Sequence, residues 1–223
     1  MAYSRKLKLV ILVISGTVLF VLGHKLWINQ AVLLSPFLTD AMTDSPHKPL
    51  TTLLKEKGVI NSQDLWVEIA KSKHTLIVYN GVVELKKYNI ALGKDCLHDK
   101  EKDGDGGTPV GEFKITETHG ENSSSLFSGA RYLLLNYPRQ EDAFRGINNG
   151  LITSKDFLAI EKAEVNYITP PQGTPLGGNV AIHGGGTPLL GDSWTNGSVG
   201  MYNKDFEELY GILPMGTKVV IRK

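Results

Sequence analysis

Two stretches decide how this chain is read: "IHGGG", Ile182–Gly186, and "WTNGSVGMYNKDFEELYGILPMGTKVVI", Trp194–Ile221. The first ends an apolar run on a histidine followed by three glycines. A lone histidine in a strand is most simply a packed core residue. The glycines shift that reading, because they leave open backbone where another molecule can approach. In the second stretch Ser198 stands close to glycines on both sides, 15 positions after His183. A nucleophile needs an exposed tip on a sharp turn, with backbone N–H groups facing the place where an oxyanion forms. Asn196, Gly197 and Ser198, just ahead of the helical pattern "NKDFEELY", are residue types that can supply this. Taken alone, Gly-Ser-Val-Gly is a plain turn. The spacing predicts a short helix capped near Asn203, a turn at Met215-Gly216 and a final strand.

Upstream, "WVEIAKSKHTLIVYNGVVELKKYNIALGK" alternates apolar and polar residues around Asn80-Gly81, the dipeptide of a tight hairpin, and predicts three strands. "DKEKDGDGG" follows as a polar loop. Asp103 and Asp105 resemble the start of a calcium loop, but the remaining ligand positions and the closing Glu are missing, so a solvated loop is expected. "TPVGEFKITETH" and "ARYLLLNYP" are further strands. "RQEDAFRGINNGLITSKDFLAIEKAE" turns helical, with Thr153 or Ser154 as a cap. After Pro170 and Pro171 a loop leads into the strand "NVAIHGG". The expected architecture is mostly β with a few short helices.

The 223 residues are 41% hydrophobic and 21% charged, with a formal net charge of +1. That suits one domain with a real core and supplies no basic surface for nucleic acid. Cys96 is the single cysteine, which excludes an internal disulfide and every thiol zinc site. At the N-terminus Arg5, Lys6 and Lys8 precede an apolar run from Leu9 to Gly23. As a helix this run spans roughly 22 Å, short of a hydrocarbon core of roughly 30 Å, and Leu26, Trp27 and Ile28 can extend it. A cleaved signal peptide and a retained anchor both fit. The lack of a small-x-small cleavage site favours the anchor, with the rest of the chain outside the cytoplasm. The expected organisation is an anchor over residues 1–34, a linker or stalk over 35–63 with a brief helix in "LTTLLKEKG", and a folded domain over 64–223.

Together, the two opening stretches resemble the end of the L,D-transpeptidase catalytic domain, also called the YkuD domain. In that family an "HG" strand end precedes a segment of the form Ser/Thr-x-Gly-Cys. A subset carries Trp-Thr-x before the Gly-Cys, as Trp194, Thr195 and Asn196 do here. "GTPVGEFKI", "LNYPRQEDAFRG" and "PPQGTPLGGNVAIHGGG" stand in the matching order. The resemblance covers about residues 64–223 and implies a β-sandwich-like domain acting on peptidoglycan stem peptides in the bacterial envelope. It further implies a nucleophile at position 198, His183 as general base and the Gly184 carbonyl as orienter of its ring. The backbone amides of Gly197 and Ser198 become oxyanion donors. Trp194, Thr195, Asn196 and Gly185 become substrate-binding positions. No metal or cofactor is implied. The acyl acceptor is an amine, from a second stem peptide or a protein, or else water.

The departure lies at the nucleophile. The family's cysteine is replaced by Ser198, and Cys96 stands outside the motif. A thiol, with an ordinary pKa of about 8.5, is readily ionised beside a histidine, whereas a serine hydroxyl needs a well-tuned base. Little or no turnover is therefore expected from the chain as it stands. Ser198 is either a substituted cysteine or a native residue. The intact histidine and flanking glycines favour the former. Alternatives are a dead stem-peptide-binding pseudoenzyme and a serine hydrolase on the same fold. Gly200, where many relatives carry arginine, bears on substrate binding. "YPRQEDAFRGINNG" is expected to form one wall of the cleft.

Overall fold

The computed structural model describes residues 48–120 and 131–223. The expected anchor, 1–34, and the first part of the expected linker lie outside the described residues. Among the described residues no helix is long and apolar enough to cross a membrane. The compact unit runs from Pro46 to Lys223, so it takes in the second half of the stretch expected as linker. There, helix α1 (Leu50–Glu56) places Leu50 in the core, and the Leu50 N–H donates to the Glu208 carboxylate.

Three strands follow, as the alternation predicts: β1 (Leu65–Ala70), β2 (Thr75–Asn80) and β3 (Val83–Asn89). In β1 Leu65, Val67 and Ile69 are buried while their neighbours are half-buried, the period of a strand with one covered face. The hairpin pairs Asn80 with Val83, so the two-residue loop is Gly81-Val82 rather than Asn80-Gly81. Only Gly81 has positive φ, +57°, the pattern of a II′ turn, which needs the freedom of glycine at its first central position alone.

The remaining strands are β4 (Leu92–Gly93), β5 (Gly111–Gly120), β6 (Arg131–Leu135), β7 (Ala181–Gly186), β8 (Ser193–Thr195), β9 (Val199–Tyr202) and β10 (Lys218–Arg222). Eight of them form one sheet in the order β3-β2-β1-β10-β5-β6-β7-β9. The C-terminal strand is therefore central, parallel to β1 and antiparallel to β5, and its Val219, Val220 and Ile221 are all buried. A strand covered on both faces reads as a continuous apolar run. β5 joins the two halves of the sheet: Gly111–Lys114 pair with β10, and Ile115–Gly120 pair with β6. One buried cluster draws on both halves, with Val67, Ile69 and Val78 from one and Leu133, Ile182 and Met201 from the other.

Helices α2 (Gln140–Asn148) and α3 (Ser154–Val165) fill the segment expected to be helical. Thr153 caps α3, its hydroxyl accepting from Asp156 N at 3.2 Å while Asp156 reaches back to Thr153 N at 3.0 Å. Helix α4 (Asn203–Tyr210) follows β9 directly and sends Phe206 and Leu209 into the core.

The "DKEKDGDGG" loop is exposed over Glu101, Lys102, Asp103 and Gly104, as expected of a solvated segment, but not at every residue. Asp105 turns inward and accepts from the backbone N–H groups of Glu101 (2.7 Å), Lys102 (2.9 Å) and Gly107 (3.0 Å) and from the buried Lys100 ammonium (3.0 Å). Burial alone would raise this carboxyl's pKa. The backbone amides and Lys100 outweigh it and hold the group below its ordinary 3.8. Removing it leaves a buried cation without its counter-charge, bonded only to the Lys102 carbonyl, and three amides without the carboxylate. Asp105→Ala should lower the unfolding free energy by about 3 kcal/mol in urea titrations. Because the folded-state pKa is depressed, this contribution is present above the ordinary carboxyl value of 3.8 and lost as the pH falls below it.

Candidate functional site

β7 and β9 run parallel, with Ile182 opposite Val199 and His183 opposite Gly200. Parallel neighbours need a connection that returns to the starting end. The chain from Thr187 onward makes that return, so Ser198, the residue before β9, arrives beside Ala181 at the start of β7. Its hydroxyl oxygen accepts from Ala181 N at 3.2 Å and donates to the Asn179 carbonyl at 3.2 Å. Ser198 and His183 line the same cavity, of about 570 Å³, together with Trp194, Thr195 and Asn196.

The ring of His183 is tied from behind. Its Nδ1 lies 2.6 Å from the Gly184 carbonyl oxygen. A carbonyl can only accept, so Nδ1 carries the proton and Nε2 keeps the lone pair of a base. Burial pushes the pKa of the ring below its ordinary 6.5, and the Gly184 carbonyl raises it part of the way back. The ring is thus neutral at pH 7, the state from which it can take a proton.

Trp194 stands edge-on to His183, with ring centroids 5.5 Å apart and planes at 79°. The same indole covers Gly200, where a Cβ would lie 2.6 Å from Trp194 Cζ2. A side chain at position 200 and an indole in this pose are mutually exclusive. That gives a physical reason for glycine at this position.

The turn before Ser198 is built by Thr195. Its hydroxyl donates to the Ser198 carbonyl at 2.6 Å and accepts from Gly197 N at 3.2 Å. Thr195 therefore shapes the loop as well as lining the cavity, and an oxyanion at the Gly197 amide would compete with that hydroxyl. Gly197 has φ +123°, and a Cβ there would lie 2.6 Å from the Gly107 carbonyl oxygen. The close packing of the Asp105 loop on the Ser198 turn requires glycine at this position.

Gly184 and Gly185 lie behind His183 and are not among the cavity-lining residues, whereas Lys100, Asp103 and Asn179 are. Sequence reasoning missed these three. The glycine-rich "DGDGG" was the available signal, since a loop that must approach another backbone closely needs glycine. The "YPRQEDAFRGINNG" segment does not line the cavity as expected. It supports the loop that does, Arg145 donating to the Lys100 carbonyl at 2.9 Å. Asn203 does not cap its own helix, which starts from Tyr202 with no side-chain cap; its Oδ1 accepts from Gly185 N at 2.7 Å. Among the described residues no group of His, Cys, Asp and Glu is arranged to hold a metal ion.

The family model described as L,D-transpeptidase catalytic domain, YkuD, matches residues 64–221. No curated protein sequence matches the chain. Among solved structures, the helical cell shape determining protein Pgp2 from Campylobacter jejuni is 21% identical, with a TM-score of 0.48 over 78% of this chain and 55% of that one. Bd1075 from Bdellovibrio bacteriovorus is 17% identical, with a TM-score of 0.46 over 71% and 48%. An L,D-transpeptidase from Mycobacterium smegmatis is 11% identical, with a TM-score of 0.42 over 72% and 59%. This chain thus spans only about half the length of the first two of these proteins. The match over residues 64–221 is what decides the assignment: the chain belongs to the L,D-transpeptidase catalytic-domain family.

Proposed function

We propose that this chain is a peptidoglycan-modifying protein of the L,D-transpeptidase type, in which position 198 is the nucleophile's place and His183 the base. One observation carries the reading. Ser198 and a histidine held in the Nδ1–H form by a backbone carbonyl line one cavity, on a turn that glycines hold against the neighbouring loop.

With a thiol at position 198 the chemistry runs as follows. Nε2 of His183 takes the thiol proton, and the sulfur attacks the carbonyl carbon of the amide between an L-centre and a D-centre. Backbone amides of the 195–198 turn, that of Ser198 foremost, stabilise the oxyanion. Collapse breaks the C–N bond, and the departing amine takes the proton back from His183. An amine or water then opens the thioester, giving a cross-link, a protein attachment or hydrolysis. With serine the first step is the obstacle. The hydroxyl is a weak acid, and the bonds to Asn179 and Ala181 hold it against the cleft wall.

Those two bonds also favour the second reading, a catalytically silent module that binds stem peptides through the same cavity. Trp194, Asn196 and Asn179 would supply its contacts. The apolar run Leu9–Gly23 behind Arg5, Lys6 and Lys8 supports placement on the inner membrane with the domain on the periplasmic side. Neither reading needs a cofactor.

Intact-mass spectrometry distinguishes the two. Incubated with a stem tetrapeptide or a carbapenem, Ser198→Cys should gain a covalent acyl adduct that the parent and the Ser198→Cys/His183→Ala protein do not. No adduct on Ser198→Cys would contradict the enzymatic reading and leave the binding module. In the Ser198→Cys background, Gly200→Ala should slow adduct formation on the order of 100-fold by displacing the Trp194 indole from the cleft. An unchanged rate would show that the indole pose does not matter.

A further inference from the structure

The Gly184–Gly185 peptide unit is hydrogen-bonded at both ends. Its carbonyl accepts from His183 Nδ1 at 2.6 Å, and its N–H donates to Asn203 Oδ1 at 2.7 Å. The result is a continuous chain from the imidazole, through one amide plane, to the first residue of α4. We propose that Asn203 is a positioning residue for His183, acting through this peptide as the third member of a base–peptide–carboxamide relay.

The surroundings are built for the contact. Gly184 admits no side chain, since a Cβ there would lie 2.5 Å from Asn203 Oδ1. Gly185 has φ +97°, a conformation that favours glycine and turns its N–H toward α4. Phe206 and Leu209, 1% and 0% exposed, lock α4 onto the core, so the carboxamide sits on a rigid base. Asn203 does not line the cavity, so its effect on substrate is exerted through His183.

An acceptor placed at the N–H end of an amide polarises the carbonyl at the other end, and such chains strengthen cooperatively. A better acceptor at Gly184 holds Nδ1–H more firmly and stabilises the imidazolium that forms when Nε2 takes a proton. Asn203 therefore performs two tasks: it fixes the tautomer, and it raises the proton affinity that burial lowers. Lys100 and Asp103, on the facing loop, are the charged side chains lining the cavity with His183, and substitution at 203 alters neither.

The inference rests on His183 being the base, and its test reads the ring whether or not acyl transfer occurs. The full chain, labelled with ¹⁵N-histidine, is titrated by NMR as parent, Asn203→Ala and Asn203→Asp, with melting temperatures recorded alongside. The parent should show the Nδ1–H tautomer. Asn203→Ala should populate the other tautomer and lower the proton affinity of the ring about threefold. Asn203→Asp keeps an acceptor oxygen in the first turn of a helix, where a carboxylate is tolerated. It should retain the parent tautomer and move the titration midpoint upward. If Asn203→Ala keeps the parent tautomer and midpoint, whatever its melting temperature, the relay is refuted. If Asn203→Ala does not fold, Asn203→Asp decides alone, and an unmoved midpoint refutes the relay.

Discussion

The site depends on one constraint, the parallel pairing of β7 with β9 in the register that sets His183 opposite Gly200. The proposed nucleophile position and base both lie at that pairing. It returns the chain so that Ser198 meets Ala181, it leaves a residue without a side chain beside the histidine, and it opens the space that Trp194 fills. A slip of one residue would turn every side chain of β9 to the other face. The register is held by apolar burial, with Ile182, Val199 and Met201 in the core and Phe206 following directly in α4.

A second requirement is backbone meeting backbone. Gly197 packs on the Gly107 carbonyl, and Gly200 lies beneath the indole of Trp194. Side chains at these positions would push the Asp105 loop away from the Ser198 turn or drive the indole out of the cleft. The loop in turn is tied together by two carboxylates: Asp105 gathers three amides and a lysine, and Asp99 accepts from the Lys100 and Val110 amides. An ordered polar loop is thus a structural wall of the site.

Much of this was legible in the sequence, for reasons that differ by element. Alternation alone located β1 to β3, because a strand with one covered face writes its pleat into the composition. Thr153, one of two adjacent candidate caps, marked the start of α3, because a capping hydroxyl satisfies an amide only three residues away. The His183 and Ser198 segments stood out through glycines that only close approach or positive φ requires. What stayed hidden had no signature in the residue pattern. In "DKEKDGDGG" it was the inward turn of Asp105, because its partners, Lys100 and three amides, lie within an otherwise exposed loop and leave no periodic trace. Asn203 reads as a helix cap because its true partner, the Gly185 amide, is 18 residues away. The hairpin turn slipped by one residue because Asn80-Gly81 and Gly81-Val82 are both acceptable two-residue loops, and strand register, not turn preference, chose between them.

The proposed chemistry therefore turns on one atom at position 198, which shares its cavity with a neutral histidine. The most direct test is the reactivity of a thiol placed there. With Cys96→Ala removing the other thiol, iodoacetamide alkylation at pH 7 would be timed for Ser198→Cys with His183 intact and with His183→Ala. A base within reach of the nucleophile should make alkylation faster by at least about tenfold when His183 is present. Equal rates with and without the histidine would mean that His183 does not serve position 198, and the account of this cleft as a nucleophile's site would be wrong.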